Sequence, residues 1–407
     1  MKIVYVCREY PPSYRAGGIA TYIQVVAKTL VKKGHEVHVF CANDNTNIET
    51  IQTEDGVVVH RLSNGDFWIK NVEKGACPLL KFRFVYRFWS YRRKLLHRIG
   101  ELDDVDIIEV PEYGAEGLCL LKQNVIPVVV RLHTPVLLNH KDFTKVKLSL
   151  TNFYKYFFYW KELQIVKDAN YITSCSTPLK KWFEKYVKPM VNIEVIYNPI
   201  NIDITDTSFA EKDNGGGIKT IFYAGTLCDW KGVGDLYEAC NLLAEEGKWN
   251  FTLVMAGKIG EFAIDLANKA SGKEWFNLIG KQDRKTLYDW YKKATVICFP
   301  SWWENMPMVC LEAMSLGACV IGSNRGGMSE IITDGEDGYL LDPCSPEIWK
   351  AKIEEVFLMD EKEKEDIGKR ARSKIAKKFA TDIVCWQMES YYNNVIADYK
   401  LNRNSKR

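Results

Sequence analysis

No stretch of this chain approaches the roughly 20 consecutive apolar residues that a membrane-spanning helix needs. The opening MKIVYVC is too short an apolar run for a secretory leader, which makes a cytoplasmic protein the expectation. Twelve cysteines occur without a CxxC pair or a Cys/His metal spacing. Several, such as Cys7, Cys41 and Cys298, lie in apolar strand-like runs, which suits buried free thiols in a reducing compartment better than disulfides or zinc. A net charge of only +3 over 407 residues argues against a general nucleic-acid binder. No Ser/His/Asp or Cys/His nucleophile arrangement can be assigned from spacing, and no loop reads GxGxxG. Asp104-Val105-Asp106 reads as solvated turn acids, so neither metal nor cofactor is expected. Solenoid-period repeats and low-complexity tracts are absent as well.

What is present is an alternation. Apolar runs KIVYVC, EVHVFC, VVVHRL, VDIIEV and IPVVVRL are separated by helical patterns, the first from about Ile19 to Lys33 and stopped by Gly34. The rhythm returns as KTIFYAG, NFTLVMAG, NLIG, ATVICFP and ACVIGS. Continuous apolar runs between helices predict parallel sheets covered on both faces. The length suggests two domains. The polar, turn-rich stretch 197–217 supplies the boundary, giving an α/β architecture of two doubly wound domains at 1–198 and 218–382 with a linker at 199–217. Residues 383–407 read as a terminal helix returning to the first domain. Open sheets of this kind bind ligands beyond the carboxyl ends of their strands, so a reaction site between facing domains is the geometric expectation.

Most chemistry-bearing residues follow strands. In PSWWENMPMVCLEAM, Glu304 lies in a turn after VICFP and Glu312, eight positions on, lies in a helix predicted to open with Pro307 at its first position. Amides of Asn305, Met306, Met308 and Val309 are candidate anion donors, and the two carboxylates can accept from sugar or ribose hydroxyls. The plain alternative is two unrelated acids that happen to be neighbours. The turn AGTLCDWKG presents Thr226 and Lys231 before a helix running to about Glu246, placing a cation where a diphosphate can bind, or else an ordinary solvated lysine. The loop PPSYRAGG ends at Gly17 and Gly18, which either let backbone approach a ligand or merely permit a tight turn. His133 ends a strand before Thr134-Pro135 and is a candidate for polarising a hydroxyl or supporting charge; a satisfied boundary histidine is the alternative. Arg325 and Glu330 in SNRGGMSEII are weaker candidates. Segment 78–100 holds seven Lys or Arg, no acid and six aromatics, suiting either a basic amphipathic membrane surface or a core-facing stripe. LTNFYKYFFYWKEL at 150–163 is a second aromatic-rich helix.

Taken in order, Gly17-Gly18, RLHTP, YNP at 197–199, the GTLxxxKG turn and the Glu304/Glu312 pair resemble the retaining nucleotide-sugar glycosyltransferases of family 4, the group 1 glycosyltransferases. The likeness spans nearly the whole chain. It implies the GT-B fold: two Rossmann-like domains facing across a cleft, with a C-terminal helix crossing back. It also implies that Glu304 contacts the donor sugar, Glu312 the ribose, Lys231 the diphosphate and His133 the transferred sugar, while Gly17 and Gly18 approach the donor phosphates. Two departures stand out. Thr226 occupies the place where many members carry arginine, and Asn305-Met306-Pro307 replaces a Gly-Phe-Gly.

The resemblance implies front-face transfer from a nucleoside-diphosphate sugar to a hydroxyl of a glycan or lipid-linked acceptor, with the leaving phosphate taking the acceptor proton and no divalent cation required. Cell-surface polysaccharide synthesis, with peripheral contact at the inner membrane face through 78–100, is the expected setting. The competing expectations are a GT-B sugar-nucleotide epimerase, which needs no acceptor, and a noncatalytic membrane-associated nucleotide-binding protein.

Overall fold

The computed structural model describes residues 1–13, 17–45, 47–65, 78–139, 153–201 and 217–404. Most of the expected linker, part of the loop before Gly17, the first residues of the 150–163 helix and the last three residues of the chain lie outside the described residues. The chain divides into two compact units: Met1–Leu137, Thr144–Pro199 and Thr381–Arg407 form one, and Leu138–Phe143 with Ile200–Ala380 the other.

In the first unit the strands are β1 (Lys2–Val6), β2 (Glu36–Ala42), β3 (Thr50–Glu54), β4 (Val57–Leu62), β5 (Ile107–Pro111), β6 (Val128–Leu132), β7 (Tyr171–Ser174) and β8 (Ile193–Val195). Between them run α1 (Gly18–Lys32), α2 (Pro78–Gly100), α3 (Leu118–Gln123), α4 (Phe153–Asp168) and α5 (Thr177–Tyr186). The sheet order is β3-β4-β2-β1-β5-β6-β7-β8. The core strands pair in parallel, with Ile3 beside both Val37 and Ile107. β3 departs from the expected parallel pattern by pairing antiparallel with β4. The order reverses at β1/β5, so the loops after those strands flank the topological switch point.

The second unit comprises β9 (Lys219–Ala224), α6 (Val233–Glu246), β10 (Phe251–Ala256), α7 (Glu261–Lys269), β11 (Phe276–Gly280), α8 (Arg284–Lys293), β12 (Val296–Phe299), α9 (Met308–Ser315), β13 (Val320–Ser323), α10 (Met328–Ile331), β14 (Tyr339–Leu341), α11 (Pro346–Leu358) and α12 (Glu361–Lys378). Its sheet order, β11-β10-β9-β12-β13-β14, is parallel throughout and reverses at β9/β12. Leu253, Ile221, Val296 and Cys298 are fully buried among residues of α6 and α11, which is why these strands are continuously apolar.

α13 (Thr381–Asn404) belongs to the first unit. Val384, Cys385, Met388 and Tyr392 join the core formed by β1, β2 and α1, whereas Trp386 stays exposed. The contact has a polar centre: the Tyr392 hydroxyl donates to Glu109 Oε2 at 2.7 Å and Tyr22 donates to Glu109 Oε1 at 2.9 Å. A buried carboxyl is thus satisfied from two helices. The described cysteines are free thiols, among them the buried Cys7, Cys41 and Cys298. No helix among the described residues is long and apolar enough to cross a membrane.

Candidate functional site

In the second unit the loops after β9 and β12 meet. Residues Asp229–Lys231 make a short 3-10 turn, and Gly232 follows with φ +67°. A Cβ at Gly232 would lie 2.0 Å from the Pro300 carbonyl oxygen, so only glycine lets the Lys231 turn seat against the end of β12. Trp302 N–H donates to the Trp230 carbonyl at 3.0 Å, and the Trp302 indole donates to Asp235 at the start of α6 at 2.9 Å. These contacts hold Lys231 against Glu304 as an ion pair, in which the side chains are 16% and 13% exposed. Ser301 donates to the same oxygen, Glu304 Oε1, at 3.1 Å. The ammonium also lies 4.2 Å from the Trp230 ring centroid, a cation-π contact. An ammonium has three donors and a carboxylate two oxygens. The pair therefore retains capacity for phosphate oxygens on one side and sugar hydroxyls, through Oε2, on the other.

The loop of Gly326 and Gly327 backs this arrangement. Glu304 bridges to Gly326, and Gly327 N–H donates to the Glu304 carbonyl at 2.6 Å. Arg325 turns to Asp342 at 3.0 Å. Thr226 is exposed, and its carbonyl accepts from the Tyr223 hydroxyl at 2.9 Å.

Glu312 lies on α9 with its side chain 9% exposed, paired with Arg284 at 3.4 Å. Burial raises its carboxyl above the ordinary value, and the Arg284 charge opposes that rise. Arg284 opens α8 directly after Asp283, whose carboxylate caps that helix by accepting from Thr286 N–H at 2.8 Å. Pro307 is the N-cap of α9 rather than its first helical residue, with ψ of 117°. Its carbonyl accepts from Cys310 and Leu311, so the first-turn amides are those of Met308 and Val309. Asn305 and Met306 precede the cap and are buried, and Asn305 Oδ1 accepts from the Trp303 indole at 2.7 Å.

Glu330 lies on α10 of the second unit, and the remaining predicted residues belong to the first. Gly17 caps α1 with φ −125°, and a Cβ at Gly17 or Gly18 would meet nothing within 4 Å. Among the described residues neither a left-handed φ nor internal packing demands glycine there. Tyr22, one turn into α1, packs its ring on His133 with centroids 5.2 Å apart. His133 is buried, and burial together with the Arg131 charge holds its imidazole far below the ordinary value. The ring is neutral at physiological pH. In that form it can donate or accept a hydrogen bond.

Sequence reasoning did not select Ser301, Trp230 or Arg284. Only their position beside the strand-following turns hinted at them. In α2, Phe84, Phe88 and Tyr91 are buried and Tyr86 is 74% exposed, so three of the aromatics in the basic segment serve the core.

The family model described as Glycosyltransferase Family 4 matches residues 16–204, and that described as Glycosyl transferases group 1 matches 205–374. A D-inositol 3-phosphate glycosyltransferase of Paenarthrobacter aurescens is 25% identical over 89% of this chain and 90% of its own length. Among solved structures, sucrose-phosphate synthase from Thermosynechococcus elongatus superimposes with a TM-score of 0.79 at 17% identity, covering 98% of this chain and 99% of its own. An Anabaena protein in complex with UDP and glucose gives 0.71 at 16% identity, covering 96% and 98%. The fold is GT-B, and the chain belongs to the group 1 glycosyltransferases, family 4, enzymes that use a nucleotide sugar.

Proposed function

We propose that this enzyme moves a sugar, with retention at the anomeric carbon, from a nucleoside-diphosphate sugar to a hydroxyl of a glycan or lipid-linked acceptor in cell-surface polysaccharide synthesis. The observation that carries the reading is the Lys231–Glu304 pair at the β9/β12 switch point, with the start of α9 and Glu312 following directly. As the bond from the anomeric carbon to the leaving oxygen breaks, negative charge grows on the diphosphate. Lys231 and the first-turn amides of Met308 and Val309 stabilise it, with the Thr226 hydroxyl as a neutral contact. Glu304 Oε2 orients the sugar hydroxyls, and Asn305 and Met306 shape the wall beside them. Glu312 accepts from the ribose. Gly17 and Gly18 admit the donor phosphates close to the backbone at the start of α1, and neutral His133 hydrogen-bonds a hydroxyl of the transferred sugar. The leaving phosphate accepts the acceptor's proton, so no divalent cation is required.

The proposed setting is the cytoplasmic face of the membrane. There exposed Arg93, Arg98 and Tyr86 of the segment 78–100 provide a peripheral contact, whereas Arg92 is buried.

A thermal-shift panel of UDP, GDP and ADP sugars tests the donor site, because a ligand that binds only the native state raises the unfolding temperature. Lys231→Ala and Glu304→Gln should remove the response to the best donor. They should also lower transfer by about a hundredfold to a thousandfold, as loss of one transition-state contact does. Wild-type transfer by both variants, or a rate abolished by EDTA and restored by Mg²⁺, contradicts the proposed mechanism. Conversion of the donor without any acceptor would favour an epimerase.

A further inference from the structure

His133 is anchored by groups that the proposed reaction does not use. Its backbone N–H donates to Glu112 Oε2 at 2.8 Å, and Glu112 stands directly after β5, at the switch point of the first sheet. Glu162, from α4, reaches the same two loops. Its Oε1 accepts from Gly114 N–H and its Oε2 from Val136 N–H, each at 2.9 Å. One carboxyl thus bridges the turn after β5 and the turn after β6, while the other holds the residue at the top of β6. Gly114 has φ +72°, and its carbonyl and that of Ala115 accept from the buried Arg92 guanidinium. Every polar contact in this set fixes loop backbone.

We propose that Glu112 is a positioning residue for His133 that acts in its protonated form, with Glu162 as the brace tying the loops after β5 and β6 together. The inference rests on the role given to His133 above. Glu112 and Glu162 are 0% and 1% exposed, and Glu112 Oε1 makes no hydrogen bond. An anion at Glu112 would therefore sit unsolvated with one oxygen unpaired, facing a second buried carboxyl. Burial pushes Glu112 up to about 8, with Glu162 adding to the rise and the backbone amides of His133, Tyr113 and Glu112 itself opposing it. Burial pushes Glu162 up to about 7, opposed by its two amide donors and by Arg8 and Arg92. Tyr113 lies beside them with its phenol raised by burial, and Arg131 faces His133. The carboxyls titrate as a coupled pair, and the last proton to leave belongs to the pair. When it leaves, the carboxylate gains by moving toward water, which carries the His133 amide and ring out of register.

The sign follows. Stability tied to the proton on Glu112 is complete below its ordinary value of 4.5 and is lost as pH rises through about 8. The full-length protein, Glu112→Ala and Glu112→Gln are compared from about pH 6.5 to 9.5. Wild-type kcat should fall with a midpoint near pH 8, while the donor KM holds. Glu112→Ala should lower kcat about tenfold to a hundredfold, as a misplaced catalytic group does. Glu112→Gln, which keeps the acceptor for His133 N–H and has no proton to lose, should recover most of that rate and flatten the alkaline limb.

A readout without turnover comes from ¹⁵N-histidine NMR, with His133 identified by its loss in His133→Gln. Its ring signals should shift with the same midpoint in wild type and stay fixed in Glu112→Gln. His133 signals that ignore pH in wild type overturn the proposal, as does an alkaline limb that survives in Glu112→Gln. A chain that binds no nucleotide sugar overturns the proposed function instead, and the NMR titration still decides the role of Glu112.

Discussion

Alanine at Gly326 should damage the second unit far more than alanine at Gly335. Both glycines have nearly the same left-handed φ, +74° and +75°. The strain of an L residue there, about 1–2 kcal/mol, is common to both. Their surroundings differ: a Cβ at Gly335 meets nothing within 4 Å, whereas at Gly326 the Glu304 carbonyl oxygen lies 2.0 Å away. Backbone cannot rotate aside as a side-chain tip can, so the two loops must separate. Such overpacking costs about 1–3 kcal/mol. Separation also breaks the bond from Gly327 N–H to the Glu304 carbonyl, worth about 0.5–1.5 kcal/mol. Gly335→Ala should therefore lose about 1–2 kcal/mol and Gly326→Ala about 2.5–6.5 kcal/mol in urea denaturation. Because Glu304 moves with its backbone, Gly326→Ala should also lose the thermal response to the best nucleotide-sugar donor of the panel while Gly335→Ala keeps it. Equal stability losses in the two variants, with equal donor responses, would refute the claim that the Gly-Gly loop props the Glu304 turn.

Two other perturbations probe the buried carboxyls. Tyr392→Phe removes the donor to Glu109 Oε2. Leaving a buried acceptor unpaired should cost about 1–3 kcal/mol in denaturant unfolding, and an unchanged midpoint would deny α13 its polar anchor. For Glu312, whose carboxyl is raised by burial against the pull of Arg284, the stability tied to its proton is complete below the ordinary value of 4.5 and is lost as pH rises through the raised one. Glu312→Gln should accordingly flatten this part of the curve of unfolding temperature against pH, and a curve parallel to that of wild type would contradict the burial effect.

The strands that cover both faces announce themselves, because a position buried above and below must be apolar whichever way it points. β3 does not. Its sequence TIQTE is an exposed edge, so burial leaves no apolar signature, and Ile51 is 69% exposed. A usable signal was the turn Asp55-Gly56, with φ of +50° and +82°, a dipeptide suited to a two-residue hairpin. The candidate site divides in the same way. Strand-to-helix turns marked out Lys231 and Glu304 in turns and Glu312 in the helix that follows, because glycine, proline and capping residues punctuate such turns. Their partners were hidden by sequence distance: Lys231 meets Glu304 across 73 positions, and the loop of Gly114 meets Glu162 across 48. Acids in sequence read as solvated by default. Burial of Glu112 and Glu162 is a property of the assembled sheet and helix, and no local pattern encodes it.

The two carboxylates eight residues apart have opposite electrostatic situations, and the tasks proposed for them follow that difference. Glu304 has a cation and a hydroxyl on one oxygen, so the protein itself compensates its charge beside the place where a leaving diphosphate would draw on the same ammonium. In the proposed reaction, shifting Lys231 toward phosphate would loosen its hold on Glu304 and make that carboxylate a stronger acceptor for sugar hydroxyls, which would couple charge on the leaving group to the grip on the sugar. Glu312 is held more loosely. It is buried, and its Arg284 guanidinium is 3.4 Å away on a side chain 48% exposed, where water screens the attraction. Hydroxyl donors such as those of a ribose would supply what Glu312 lacks. Binding at Glu312 therefore favours its ionised form, so affinity gained there should grow as pH rises through its raised value, whereas the Lys231–Glu304 contacts do not depend on that titration.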